Sequence, residues 1–104
     1  VGLVGACVST GETVNVPCAY DDPRFNKHID EKTGYTTKSV LCMPVRNDEG
    51  KIIGAIEMIN KQAADGSNSA FDKNDERMVL MMASHVKSFL RIIDNDDQKR
   101  ITFL

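Results

Sequence analysis

Residues 39–61, SVLCMPVRNDEGKIIGAIEMINK, decide the fold. Ser39 to Arg46 is apolar on both faces, as a central strand must be, and its β-branched and apolar content suits a pleated surface. Pro44 interrupts it, because proline has no N–H to give a ladder, and a bulge or an edge position is expected there. Asn47-Asp48-Glu49-Gly50 carries turn chemistry, and Lys51 to Lys61 forms the next strand. The stretch is therefore a β-hairpin.

Toward the C-terminus, residues 62–70 (QAADGSNSA) form a small polar loop. Asp72 then serves as an N-cap, with Asp75 three residues on in the manner of a capping box. Apolar residues follow at 78, 79, 82, 86, 89, 90 and 93, which is helical spacing, so one amphipathic helix is expected over about 73–94. Residues 95–104 are a charged tail or an extension of that helix. Toward the N-terminus, residues 17–38 hold Pro17, Pro23 and Gly34 in a long connection, with one helical turn around Asn26 to Lys32. A connection of that length is often functional. Thr13 to Val16 alternates as a short strand ended by Pro17, and Val1 to Thr10 forms a helix stopped at Gly11.

One hairpin, one short strand and one long helix sit near the lower limit of independent stability. Strands missing at the N-terminus are therefore expected, and the opening Val1, in place of Met, suits a fragment or a processed product. The chain has 104 residues and a net charge of −2, with 13 basic against 15 acidic residues interspersed. A chain this size buries roughly 65% of its unfolded surface, enough for one modest core. The charge balance excludes a basic nucleic-acid arm. The longest apolar run, Met78 to Ala83, is far short of the roughly 20 residues of a membrane span. The start of the chain has no signal-peptide pattern. Cys7, Cys18 and Cys42 are odd in number with no CxxC spacing, which argues against a disulfide framework or a zinc site and for reduced thiols in the cytoplasm. A redox pair or a catalytic thiol is the sharper alternative.

Three places could carry chemistry. Glu57 is the charged residue inside the run Ile52 to Ile59, and alternation puts it on a face with Ile53, Ala55 and Ile59. Such a carboxylate is either solvent-facing and paired with a lysine or a pocket acceptor for a ligand's hydroxyl or N–H. The connection at 20–37 (YDDPRFNKHIDEKTGYTT) carries Thr33 and Thr37 on either side of Gly34-Tyr35, which is either turn chemistry or a lid that supplies hydroxyl donors. Gly2-Leu3-Val4-Gly5 opens a helix whose free N–H groups could attract a phosphate. His28 and His85 are isolated, His85 on the polar side of the long helix, and neither belongs to a hydrolase or metalloprotease pattern. Met78, Met81 and Met82 read as core-filling residues.

Asn60-Lys61, then Phe71, three residues, then Asp75-Glu76 resembles the NK-x(n)-F-x3-DE motif of the GAF domains found in cyclic-nucleotide phosphodiesterases and some adenylyl cyclases. All five positions match. The segments Gly11 to Pro17, Asp22 to Asn26, Thr33 to Thr37 and Leu41 to Val45 are similar to the same subgroup, so the likeness runs from Gly2 to about Ile93. It implies an α+β fold, an antiparallel sheet flanked by helices in the GAF/PAS manner and here N-terminally truncated. Residues 1–94 would be the C-terminal two-thirds of that domain, with its upstream helix and strands missing.

The resemblance further implies a regulatory module with no catalytic residues, metal or cofactor of its own. A cyclic nucleotide, cGMP or cAMP, would be its allosteric ligand. By position, the phosphate would lie on the backbone N–H groups of Leu3 and Val4. Asn26, Asp30, Thr33 and Thr37 would be lid residues and Glu57 the pocket carboxylate. Asn60, Lys61, Phe71, Asp75 and Glu76 would be structural, with Lys61 and Asp75 an ion pair clasping the strand end to the last helix. The family's purine-stacking aromatic precedes Val1, and its loss would be worth roughly 1–3 kcal/mol of binding. The implied partners are the catalytic domain of a parent phosphodiesterase and a second copy of the chain. Two rivals belong to other classes. One is a dimerisation module that binds no nucleotide, using Phe89, Ile92 and Ile93. The other is a thiol-based reductase of free methionine sulfoxide, whose cysteine pattern is not matched here.

Overall fold

The computed structural model describes the backbone of residues 2–93 and 99–103, with side chains through residue 87. The apolar side chains expected at 89, 90, 92 and 93 and the tail at 94–98 lie outside the described residues. Helix α1 spans Gly2–Thr10, strand β1 Val14–Val16, helix α2 His28–Thr33, strands β2 Val40–Arg46 and β3 Ile52–Ile59, helix α3 Lys73–Ile93 and strand β4 Lys99–Phe103. A single 3-10 turn, Ala19–Asp21, lies between β1 and α2. No described helix is long and apolar enough to cross a membrane.

The hairpin forms as its sequence requires. β2 and β3 pair antiparallel, and Asn47 organises the turn by accepting the N–H groups of Glu49 and Lys51 on its side-chain oxygen at 3.0 and 2.9 Å. Gly50 closes it at φ +83°, a conformation that costs glycine nothing. β2 lies between β1 and β3, which is why it is apolar on both faces. Pro44 sits opposite Ala55 but beyond the end of β1, which reaches only Cys42, so the missing N–H falls at an edge. The register slips one pair further on, where Val45 faces Gly54 and Arg46 faces Ile52. Ile53 is therefore the extra residue of a β-bulge.

That bulge corrects the simple alternation. Ala55 and Ile59 pack on one face, whereas Ile53 packs on the other with Ile56. The first face carries Val40 and Cys42 against Leu3 and Cys7 of α1, with Val14, Val16 and Ala19 closing the layer. The second carries Leu41, Met43 and Val45 against Val79 and Ala83 of α3. The result is helix, sheet, helix.

α1 stops at Gly11, whose N–H donates to the Cys7 carbonyl at 2.9 Å and whose φ is +74°. α3 starts as its capping residues dictate. The Asp75 N–H donates to Asp72 at 2.9 Å and the Asp72 N–H to Asp75 at 2.8 Å, a reciprocal box. Two expectations need correction. Met78 and Met81 are 61% and 64% exposed, because Val79 and Ala83 form the stripe on the sheet and only Met82 of the three methionines packs against it. The tail was expected to be charged coil or helix, yet Lys99–Phe103 is a strand, parallel to β3 with Ile56 opposite Ile101. The antiparallel β1-β2-β3 sheet thus gains a fourth member on the far edge of β3.

Candidate functional site

The connection between β1 and β2 folds over the edge of the α1 face. Ala19 anchors it: the residue is fully buried, and its N–H donates to the Lys38 carbonyl at 2.7 Å. Phe25 packs against the α1-side core. Asn26 accepts the His28 N–H at 2.9 Å and so turns the chain into α2, and Gly34 ends that helix at φ +76° with its N–H on the Asp30 carbonyl at 2.9 Å.

Asp30 is the hub. Its Oδ2 accepts the Tyr20 hydroxyl at 2.8 Å and the Thr37 amide at 2.6 Å, while Oδ1 accepts the Thr37 hydroxyl at 2.8 Å. Asp30 and Thr37 are both buried. Burial pushes the Asp30 carboxyl up, but the Thr37 amide and hydroxyl and the Tyr20 hydroxyl together hold it below its ordinary value. The Tyr20 phenol is pushed up, chiefly because its proton is held by Asp30. Of the expected lid residues, Asp30 and Thr37 are therefore brought together. Asn26 and Thr33 remain exposed, Asn26 in the turn before α2 and Thr33 at its last residue, where its hydroxyl donates to the Ile29 carbonyl at 3.1 Å.

Glu57 is 9% exposed and lies opposite Cys42, on the face covered by α1. The Cys7 thiol on α1 is held below its ordinary value, chiefly by its hydrogen bond with Cys42, with burial and the Glu57 charge opposing. A carboxylate in that setting can accept hydrogen bonds from a polar ligand between α1, the sheet and the lid. Leu3 is buried in the α1-side core and Val4 packs beside it. Their N–H groups belong to the first turn of α1, where no helix carbonyl is available to them. Cys7 and Cys42 are buried, and Cys18 is exposed.

The motif residues surround this site as braces. Asn60 adopts φ +61° and grips the end of the lid on both sides of Thr37: it accepts the Lys38 N–H at 2.6 Å and donates to the Thr36 carbonyl at 2.8 Å. The Lys61 ammonium meets Asp75 at 2.5 Å and Asp72 at 3.4 Å, joining the end of β3 to the start of α3. Asp75 above all holds the Lys61 ammonium above its ordinary value. Phe71 packs on the α3-side core, and its carbonyl accepts from Asn15 at 3.1 Å. The same Asn15 amide donates to Glu76 at 2.7 Å.

Asn15 and Tyr20 were missed in the sequence. Asn15 had a signal, since it stands between two buried valines of β1 and so must point to the α3 face. Tyr20 had none, because its partner lies ten residues away across an aperiodic loop.

Comparison with known proteins bears on the family and the fold. The family model described as GAF domain matches residues 1–88. The dual 3',5'-cyclic-AMP and -GMP phosphodiesterase 11A of Takifugu rubripes is 48% identical over 80 residues, covering 77% of this chain. The chain spans only 8% of that relative's length. A solved GAF domain superposes with a TM-score of 0.63 at 28% identity, over 84% of this chain and 44% of the other. The type II free methionine-R-sulfoxide reductase of Thermoplasma acidophilum superposes at 0.67 over 98% of this chain and 60% of its own. At 21% identity that second likeness is one of fold alone.

Proposed function

The chain belongs to the GAF domain family, and from that premise we propose that it is a regulatory, non-catalytic module of a cytoplasmic cyclic-nucleotide phosphodiesterase. It binds cGMP or cAMP under the 20–37 lid and passes lid closure on to a catalytic output domain. The observation that carries this reading is the pairing of a buried carboxylate, Glu57, with a hydrogen-bonded lid docked at the same face of the sheet. The likeness to a dual-specificity phosphodiesterase supports the ligand class.

In this reading the N–H groups of Leu3 and Val4 receive the cyclic phosphate, since the start of a helix favours an anion. Glu57 accepts hydrogen bonds from the nucleoside. Asn26, Asp30, Thr33 and Thr37 are lid positions that close over it. A nucleotide that binds the closed lid more tightly than the open one shifts the population toward closure, and that difference in affinity is all that can be passed on. Asn60 and Lys61 are consecutive residues that hold the lid end and α3 respectively.

Calorimetric titration of the intact parent chain with cGMP and cAMP tests this. Glu57→Gln or Thr37→Ala should weaken binding by roughly 1–3 kcal/mol, the cost of unpairing a buried polar group. Absence of binding by both nucleotides, or unchanged affinity in both variants, overturns the reading.

A second reading, a module that pairs two copies of the chain, has its own observation. Met78, Met81, Met82, His85 and Val86 line an apolar groove of about 440 Å³ along α3. The two readings are compatible, since the groove and the lid occupy different faces.

A further inference from the structure

Helix α2 is docked onto the domain without apolar burial. Of its six residues only Asp30 is buried, and Ile29 is 60% exposed. A helix that short has no stability of its own in water. Its position therefore depends on what holds the Asp30 carboxylate. Two of the three donors come from Thr37, whose two neighbours in sequence Asn60 holds to the end of β3. The third, the Tyr20 hydroxyl, comes from outside the lid helix. Tyr20 stands in the 3-10 turn that Ala19 anchors to the core and to the Lys38 carbonyl. Its ring rests 5.2 Å from that of Phe25, and the Lys27 ammonium lies over its face at 5.2 Å. The turn is thus held on the frame through Ala19, the ring rests on residues of the same connection, and the hydroxyl reaches across to α2.

We propose that Tyr20 is a positioning residue that latches the lid, its hydroxyl holding α2 to the frame through Asp30 and thereby setting how fast a ligand enters and leaves. The rate-setting part rests on the reading of a nucleotide site beneath the lid; the latch itself belongs to the ligand-free protein. A ligand need not touch Tyr20 for the residue to control its exchange. The hydroxyl donates to an ionised acceptor, which makes it one of the stronger single contacts available to a surface segment.

Hydrogen-exchange mass spectrometry on the ligand-free chain tests the latch. Tyr20→Phe keeps the ring and its neighbours and removes only the donor. Amides of 28–37 should exchange roughly 10-fold faster or more, the factor for one hydrogen bond to a charged group. Amides of the 40–59 hairpin should stay within about two-fold, since they open separately from the lid. Asp30→Asn should release the same segment. Unchanged exchange at 28–37 in Tyr20→Phe overturns the proposal, whatever Asp30→Asn does, because Asp30 also carries the two Thr37 bonds; so does acceleration spread evenly over the chain, which would make Tyr20 a general stabiliser. With cGMP bound, Tyr20→Phe should speed dissociation by a similar factor. A faster lid with unchanged dissociation overturns the rate-setting role. If neither nucleotide binds while the lid effect is present, the function reading fails and the latch stands.

Discussion

At the Asp30 carboxyl, burial and hydrogen bonding oppose each other, and the donors win. Burial alone would make the carboxyl harder to ionise, yet three donors aim at its two oxygens and keep it ionised to lower pH than an ordinary aspartate. A group whose folded value lies below its unfolded value contributes stability that is complete above the unfolded value. That contribution is lost as the pH falls through the folded one. α2 should therefore stay docked at neutral pH and release as the solution is taken below about pH 4, the unfolded aspartate range. Following the amide resonances of 28–37 through an acid titration measures this, and a midpoint above the ordinary aspartate value would mean that burial prevails. Asp30, Thr37 and Glu57 were each legible as candidates, the first from its resemblance position and the other two also from their place in loop and strand. Their mutual arrangement was not legible, because which oxygen meets which donor is set by the fold of the whole connection.

Among the elements, α3 was the most legible and its attachment the least. Its start follows from Asp72 and Asp75, its end from the apolar periodicity, and both are local properties of the chain. The way it is fastened to the sheet depends on Asn15, sixty-one residues from Glu76 in sequence. The contact is half-buried and its acceptor is charged, so Asn15→Ala should lower stability by about 1–2 kcal/mol. Asn15→Asp should be worse, because it sets a second carboxylate against Glu76. Chemical denaturation of the two variants checks the order, and equal stability of wild type and Asn15→Ala would mean that the bond contributes nothing net. The bulge at Ile53 was nearly as hidden. Gly54 is the one residue of IIGAIEMI that points to the slip, which moves Ile53 to the α3 face while leaving Glu57 on the α1 face.

On the scale of the molecule, the sheet separates two tasks. One face carries α1, the lid and Glu57; the other carries α3, and beyond it the outward methionines. Helical periodicity alone assigned those methionines to the core, since it registers apolar spacing but not the width of the stripe that a sheet can cover. A sheet this narrow covers Val79 and Ala83 and leaves Met78 and Met81 in solvent. Exposed methionines on one side of a long helix are the kind of surface that a second helix covers. If a second copy of the chain is that partner, each buried methionine contributes on the order of 1.5–3 kcal/mol to the pair. Met81→Glu would then replace that gain with a buried charge and convert a dimer to monomer. Light scattering should show the mass halved in the variant. Affinity for the nucleotide should remain within about two-fold, because sites on opposite faces with no shared partners behave nearly additively. A variant that keeps the wild-type mass would remove α3 as the pairing surface. One that becomes monomeric and also loses nucleotide binding would show instead that the two faces are coupled.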